Sequence, residues 1–128
     1  MEVIRKKLSL DKDKYYRVHL EIVNSVLPTK MSKRELDILA GFMSLEGEVV
    51  EQYRFGTDAR SMVRDKLGIS ASNMSNYFDK LVKKGFIKPV LDERGRRKLE
   101  IIPLLRPQKH SQTYMFILEK DEAKGTNS

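Results

Sequence analysis

Between Tyr15 and Leu27 the positions Tyr15, Val18, His19, Ile22, Val23, Val26 and Leu27 recur at helical spacing. They predict an amphipathic helix, preceded by Asp11 and Asp13 and stopped by Pro28 and Thr29. Upstream, Val3, Ile4, Leu8 and Leu10 alternate loosely and predict a strand over Glu2 to Leu10. Ser32-Lys33-Arg34-Glu35 has the form of a capping box, in which hydroxyl and carboxylate each accept a backbone N–H left free by the first helical turn. The helix it opens carries Leu36, Leu39, Ala40 and Met43 on one face, with Ile38, Phe42 and Leu45 beside them and Gly47 just beyond its end. Val49 to Phe55 fits a short strand or an irregular connection, and a short strand at Tyr53 to Phe55 is the favoured reading.

A pair of short helices follows. Thr57 or Asp58 caps the first, with Ala59, Met62, Val63 and Leu67 inward. Gly68 stands where a helix ends at positive φ, which glycine adopts without strain. Ser70 or Ser72 caps the second, whose inward face is Met74, Tyr77, Phe78 and Leu81. Lys83-Lys84-Gly85-Phe86 ends it: lysines complement the negative helix end, glycine turns the chain, and Phe86 packs back on Leu81. Phe86 to Leu91 and Lys98 to Leu104 read as strands joined by Asp92-Glu93-Arg94-Gly95. Thr113 to Leu118 reads as one more strand, best covered by the N-terminal one, and Glu119 to Ser128 as a frayed polar tail.

The expected fold class is therefore mainly α with a small antiparallel β-sheet (α+β). Residues 1–30 form an N-terminal strand and accessory helix on the same domain, 31–106 the central unit, 107–118 the terminal strand and 119–128 a flexible tail.

The stretch LGISASNMSNYFDKLVKKGFI, followed by DERGRRKLEI, resembles the recognition helix, helix end and wing of a winged helix-turn-helix domain. MarR-type regulators are the nearest in phrasing, and the likeness covers roughly Ser32 to Ile102. Val63, Leu67, Ile69, Met74 and Tyr77 stand at the apolar positions of the pattern and Gly68 at its glycine. Arg64 departs from it, standing where a small residue usually lets the two helices approach, so that either the helices splay or the arginine stem runs outward. MarR-type proteins also dimerise through long terminal helices, whereas this chain is read to close with a short apolar strand and a tail. The resemblance thus implies the fold and the groove-binding mode, without the ligand response or that dimer.

Charge sharpens this picture. The 128 residues carry a formal net charge of +7, which suits an anionic partner. From Ser70 to Arg106 there are nine basic and four acidic residues, so this segment alone carries +5. On a helix from Ala71 to Lys84, the face away from Met74, Phe78 and Leu81 shows Ser72, Asn73, Ser75, Asn76, Asp79, Lys80 and Lys83. The N-terminal turns of a recognition helix face base edges, and asparagine pairs bidentately with adenine. Ser72, Asn73, Ser75 and Asn76 are the candidate base contacts, with Asn73 and Asn76 foremost. Ser70, Lys80, Lys83, Lys84, Arg94, Arg96, Arg97 and Lys98 are the candidate backbone contacts, the arginines suited to phosphate or to the minor groove. Asp79 is a mild counter-signal. The simpler alternatives are a solvated helix face and an edge hairpin kept soluble by charge. Four basic residues among the five from Arg94 to Lys98 exceed what solubility asks.

Other chemistry is absent from the sequence. There is no cysteine, which excludes disulfides and thiolate metal sites. His19 and His110 lack metal-ligand spacing, Asp11-Lys-Asp-Lys lacks the rest of a calcium loop, and no phosphate-binding glycine loop or nucleophile elbow occurs. The expectation is a non-enzyme without cofactor or metal, cytoplasmic and with no membrane contact. It is read as a sequence-specific binder of double-stranded DNA, of the kind used by small bacterial or phage transcriptional regulators. A homodimer is a further candidate assembly. The alternative is a winged-helix module that docks on protein through the terminal strand Tyr114 to Leu118. Single-strand or RNA binding ranks last, because the tyrosines are scattered and form no stacking platform.

Overall fold

A computed structural model describes residues 2–45 and 53–121. Within them the chain folds as a small, mainly α-helical domain with one two-stranded antiparallel sheet. The helices are α1 (Lys12–Asn24), α2 (Lys33–Met43), α3 (Thr57–Leu67) and α4 (Ala71–Lys83). Strands β1 (Ile87–Leu91) and β2 (Arg97–Ile101) then pair in the register Ile87↔Ile101 to Leu91↔Arg97, and a 3-10 turn covers Pro103–Leu105. The second strand stops at Ile101, short of the expected Leu104, because Pro103 has no N–H for a ladder.

Helical spacing delivers one core. Leu20 of α1, Ile38, Leu39 and Phe42 of α2, Val63 of α3, and Met74, Phe78 and Leu81 of α4 meet Phe86, Ile87 and Leu105 in a single buried cluster. Arg17 of α1 ties the first two helices through its Nε to Asp37 at 2.7 Å. Their connection is closed by the Asn24 amide, which accepts from the Met31 N–H at 2.8 Å and donates to its carbonyl at 3.1 Å. The capping box at Ser32 forms as expected.

Several expectations are corrected. The helix α3 is capped by Gly56 without a side-chain hydrogen bond, where Thr57 or Asp58 was expected, and Met62 lies exposed. Tyr53 to Phe55 form a turn, closed by the Gly56 N–H on the Tyr53 carbonyl at 2.9 Å, in place of a strand. The turn lets Phe55 drop between Phe42 and Phe78, with ring centroids 5.0 and 5.3 Å away. Gly47 and Val49 to Gln52 lie outside the described residues.

Neither expected terminal strand forms: residues 2–10 and 113–118 are irregular. Alternation shows which side chains would share a face, but a strand also needs a neighbour for its backbone groups. The C-terminal segment is instead fastened to α1 by side chains. The Tyr15 hydroxyl donates to the Gln108 carbonyl at 2.6 Å. Buried His19 bonds the Leu105 carbonyl through Nε2 at 2.9 Å and the Tyr114 hydroxyl through Nδ1. A carbonyl only accepts, so Nε2 carries the proton and Nδ1 accepts from tyrosine. Burial pulls the His19 pKa below its ordinary value, against the opposing pull of the Leu105 bond, and so favours the neutral ring. The expected tail lies outside the described residues from 122 onward.

Candidate nucleic-acid interface

The entry to α4 is set by two local devices. Gly68, at φ +66°, reverses the chain after α3, in a conformation that a Cβ would strain. Of the two candidate caps it is Ser70 that acts: its Oγ accepts the Asn73 N–H at 3.2 Å and lies 3.3 Å from the Ser72 hydroxyl. No acidic residue occupies the first turn of α4, so its remaining free amides and positive dipole end are not offset locally. Arg64, in the preceding helix, is half-buried, with its Nε shut from water and unbonded among the described residues. Its stem therefore does not run outward.

Met74, Phe78 and Leu81 are buried, while Ser72, Asn73, Ser75, Asn76, Asp79, Lys80 and Lys83 are all exposed. The helix thus divides along the line that its periodicity predicts. Lys80 lies with its ammonium 5.4 Å from the Tyr77 ring centre. After α4 the chain turns at once: the Phe86 N–H bonds the Leu81 carbonyl at 3.0 Å, and buried Phe86 leads into β1.

The hairpin overhangs the core. Its body-side row runs from buried Ile87 and Ile101 at the root to Leu91, 72 % exposed, beside Arg97 near the tip. Asp92 organises that tip, accepting the N–H of Arg94 at 2.9 Å, the N–H of Arg96 at 2.8 Å and the Arg96 Nε at 3.1 Å. The backbone bond from Arg96, then the Arg94 and side-chain bonds, hold the Asp92 carboxyl below the ordinary carboxylate range. Arg96 is thereby paired, and Lys98 pairs with Glu100 at 2.9 Å. The side chains of Arg94 and Arg97 are exposed, with no partner among the described residues.

Lys84 stands apart from the other candidate contacts. Its ammonium reaches back 2.8 Å to Glu35 Oε1 and 3.0 Å to the Lys30 carbonyl, joining the end of α4 to the capping box of α2. Glu35 is only 2 % exposed. Burial pushes its carboxyl up, but the hydrogen bonds from Lys84 and Ser32 outweigh that and hold it below the ordinary glutamate value. A depressed folded-state pKa stabilises the protein above the unfolded-state pKa, and that stability is lost as pH falls through the folded value. Glu35→Ala is expected to cost about 2 kcal/mol at neutral pH, from half a cap and the loss of the carboxylate that pairs the Lys84 ammonium. The urea midpoints of variant and parent should converge as pH falls below about 4.5. A gap that is constant with pH would dismiss the ionised pair as its source.

Among the described residues no group of His, Asp or Glu could hold a metal, and no helix is long and apolar enough to cross a membrane. No protein-family model, curated protein or solved structure matches this chain. Its function must be argued from its own side chains.

Proposed function

We propose that the chain is a winged helix-turn-helix module of MarR-like form that binds double-stranded DNA with sequence preference. In this reading α3 and α4 are the helix pair, α4 lies in the major groove, and the β1–β2 hairpin is the wing, set on the backbone or in the minor groove. One observation carries it: every candidate base-reading residue of α4 is exposed while the opposite face is locked in the core. The side chains of Asn73, Ser75 and Asn76 have no hydrogen-bond partner among the described residues, so their donors and acceptors are available to base edges. Lys80, Lys83, Arg94 and Arg97 supply the cations for phosphate, with Arg96 and Lys98 available once their pairs open. No catalytic role enters this reading.

A mobility-shift titration on random duplex at low salt is the first test, and binding that falls steeply with added salt is the expected result. Asn76→Ala should then leave random-duplex affinity unchanged while losing about 1–3 kcal/mol of preference for a selected site. Equal loss on all sequences would remove the base-reading role.

A protein-docking module is the second reading. It is favoured by the exposed apolar run Met115, Phe116, Ile117 and Leu118, between 63 % and 98 % accessible, since solvated apolar patches mark contact sites. Absence of any shift at low salt would select it.

A further inference from the structure

The basic run Arg5-Lys6-Lys7 falls outside every element assigned above. All residues from Glu2 to Leu10 are exposed and irregular. The side chains of Arg5, Lys6 and Lys7 pair with no acid among the described residues, and Glu2 is the one acidic residue in that stretch. The segment is an arm, and its root is placed. Asp11 caps α1 by accepting the Lys14 N–H at 2.9 Å. Two residues on, Asp13 pairs with Lys66 in the last turn of α3 at 2.6 Å. Asp11, Lys12 and Asp13 line one cleft with Ser44, Met62 and Lys66. The arm therefore leaves the body beside the end of α3, which is followed by the Gly68 turn and the Ser70 cap of α4.

Reach follows from chain geometry. Extended backbone advances about 3.3–3.6 Å per residue, so the six steps from Asp11 to Arg5 span up to about 20 Å. The minor groove is roughly 6 Å wide, so this length would suffice to span a groove beside a bound α4. A tract with three adjacent cations gains little by packing on a body that is itself basic, and a great deal by displacing counterions from duplex phosphates. Val3, Ile4 and Leu8 fit the same destination, because minor-groove binders combine cations with apolar side chains.

We infer that residues 2–10 form a second DNA contact, with Arg5, Lys6 and Lys7 neutralising phosphates that flank the site occupied by α4. The inference rests on the duplex-binding reading, and the experiment separates the two. The full chain selects its duplex from a random pool. Parent, an Arg5→Ala/Lys6→Ala/Lys7→Ala variant and a Lys33→Ala/Lys109→Ala/Lys120→Ala variant of equal net charge are then titrated on it across salt. Thermal unfolding should be unchanged for the arm variant, whose substituted side chains are exposed. The arm variant should flatten the slope of log K against log salt by about 2–3, from about 0.9 per phosphate. It should also shorten the hydroxyl-radical footprint on one flank, while the control keeps slope and footprint. An arm variant with the parent's slope and footprint, or a control that loses as much, overturns the arm contact and leaves α4 binding intact. Failure of the parent to select or shift any duplex overturns both.

Discussion

Replacing Arg94 and Arg97 together by alanine is expected to weaken duplex binding on the order of ten-fold at about 0.2 M salt and to flatten the salt slope by about 1.8. These two are the hairpin arginines without an acidic partner, whereas Arg96 is already held by Asp92. A free guanidinium exchanges only water and counterions for phosphate; a paired one must first give up its carboxylate. Arg96→Ala alone should therefore weaken binding less than either Arg94→Ala or Arg97→Ala. The loss should be uniform across sequences, because phosphate contacts position the protein and carry no base information. Fluorescence anisotropy on selected and scrambled duplexes checks both statements. An unchanged slope in the double variant would detach the hairpin from the DNA reading.

The largest effect on stability is expected at Phe42. Its ring is fully buried and meets Phe55 at 5.0 Å and Phe78 at 6.2 Å, both in edge-on geometry. Phe78 lies on the underside of α4 and is also covered by the Arg60 guanidinium at 4.2 Å. Phe42→Ala removes one of the three rings of this cluster, and the lost transfer energy and the cavity together cost about 3–5 kcal/mol. Domains of this size are stable by about 5–15 kcal/mol, so a large share of the margin goes with one ring. Urea denaturation should show a lower midpoint with little change in slope. Phe42→Leu, which refills part of the space, should recover much of the loss. A cost below about 1 kcal/mol for the alanine variant would show that α2 and α4 collapse onto the void.

The features that could be read beforehand are those decided by residues close in the chain. Helical spacing separated Met74, Phe78 and Leu81 from Asn73 and Asn76, and the structure places the two sets on opposite faces. The Ser32 box, the Gly68 turn and the Asp92–Gly95 hairpin each depend on a few consecutive positions, and each forms. The cap of α3, a local feature, fell on Gly56 in place of Thr57 or Asp58, but most of what escaped depends on partners far off in sequence. Lys84 finds Glu35, 49 positions away, and Tyr114 finds His19, 95 away. No local pattern announces either pair, so Lys84 read as one more basic residue at a helix end. The terminal strands failed for the same reason: alternation was visible, the missing neighbour was not. Arg5-Lys6-Lys7 fell within the expected N-terminal strand, and that the root of this segment lies beside α3 emerges only from the Asp13–Lys66 contact.

Asp92 shapes the hairpin tip with three hydrogen bonds of its own, whereas residues 2–10 have no comparable internal brace among the described residues. On a duplex the former would dock at little entropic cost, while the latter would have to surrender its conformational freedom on arrival. Encounter would then come in two stages, with a rigid flap seating α4 first and a loose basic thread closing afterwards, prolonging residence more than it speeds capture.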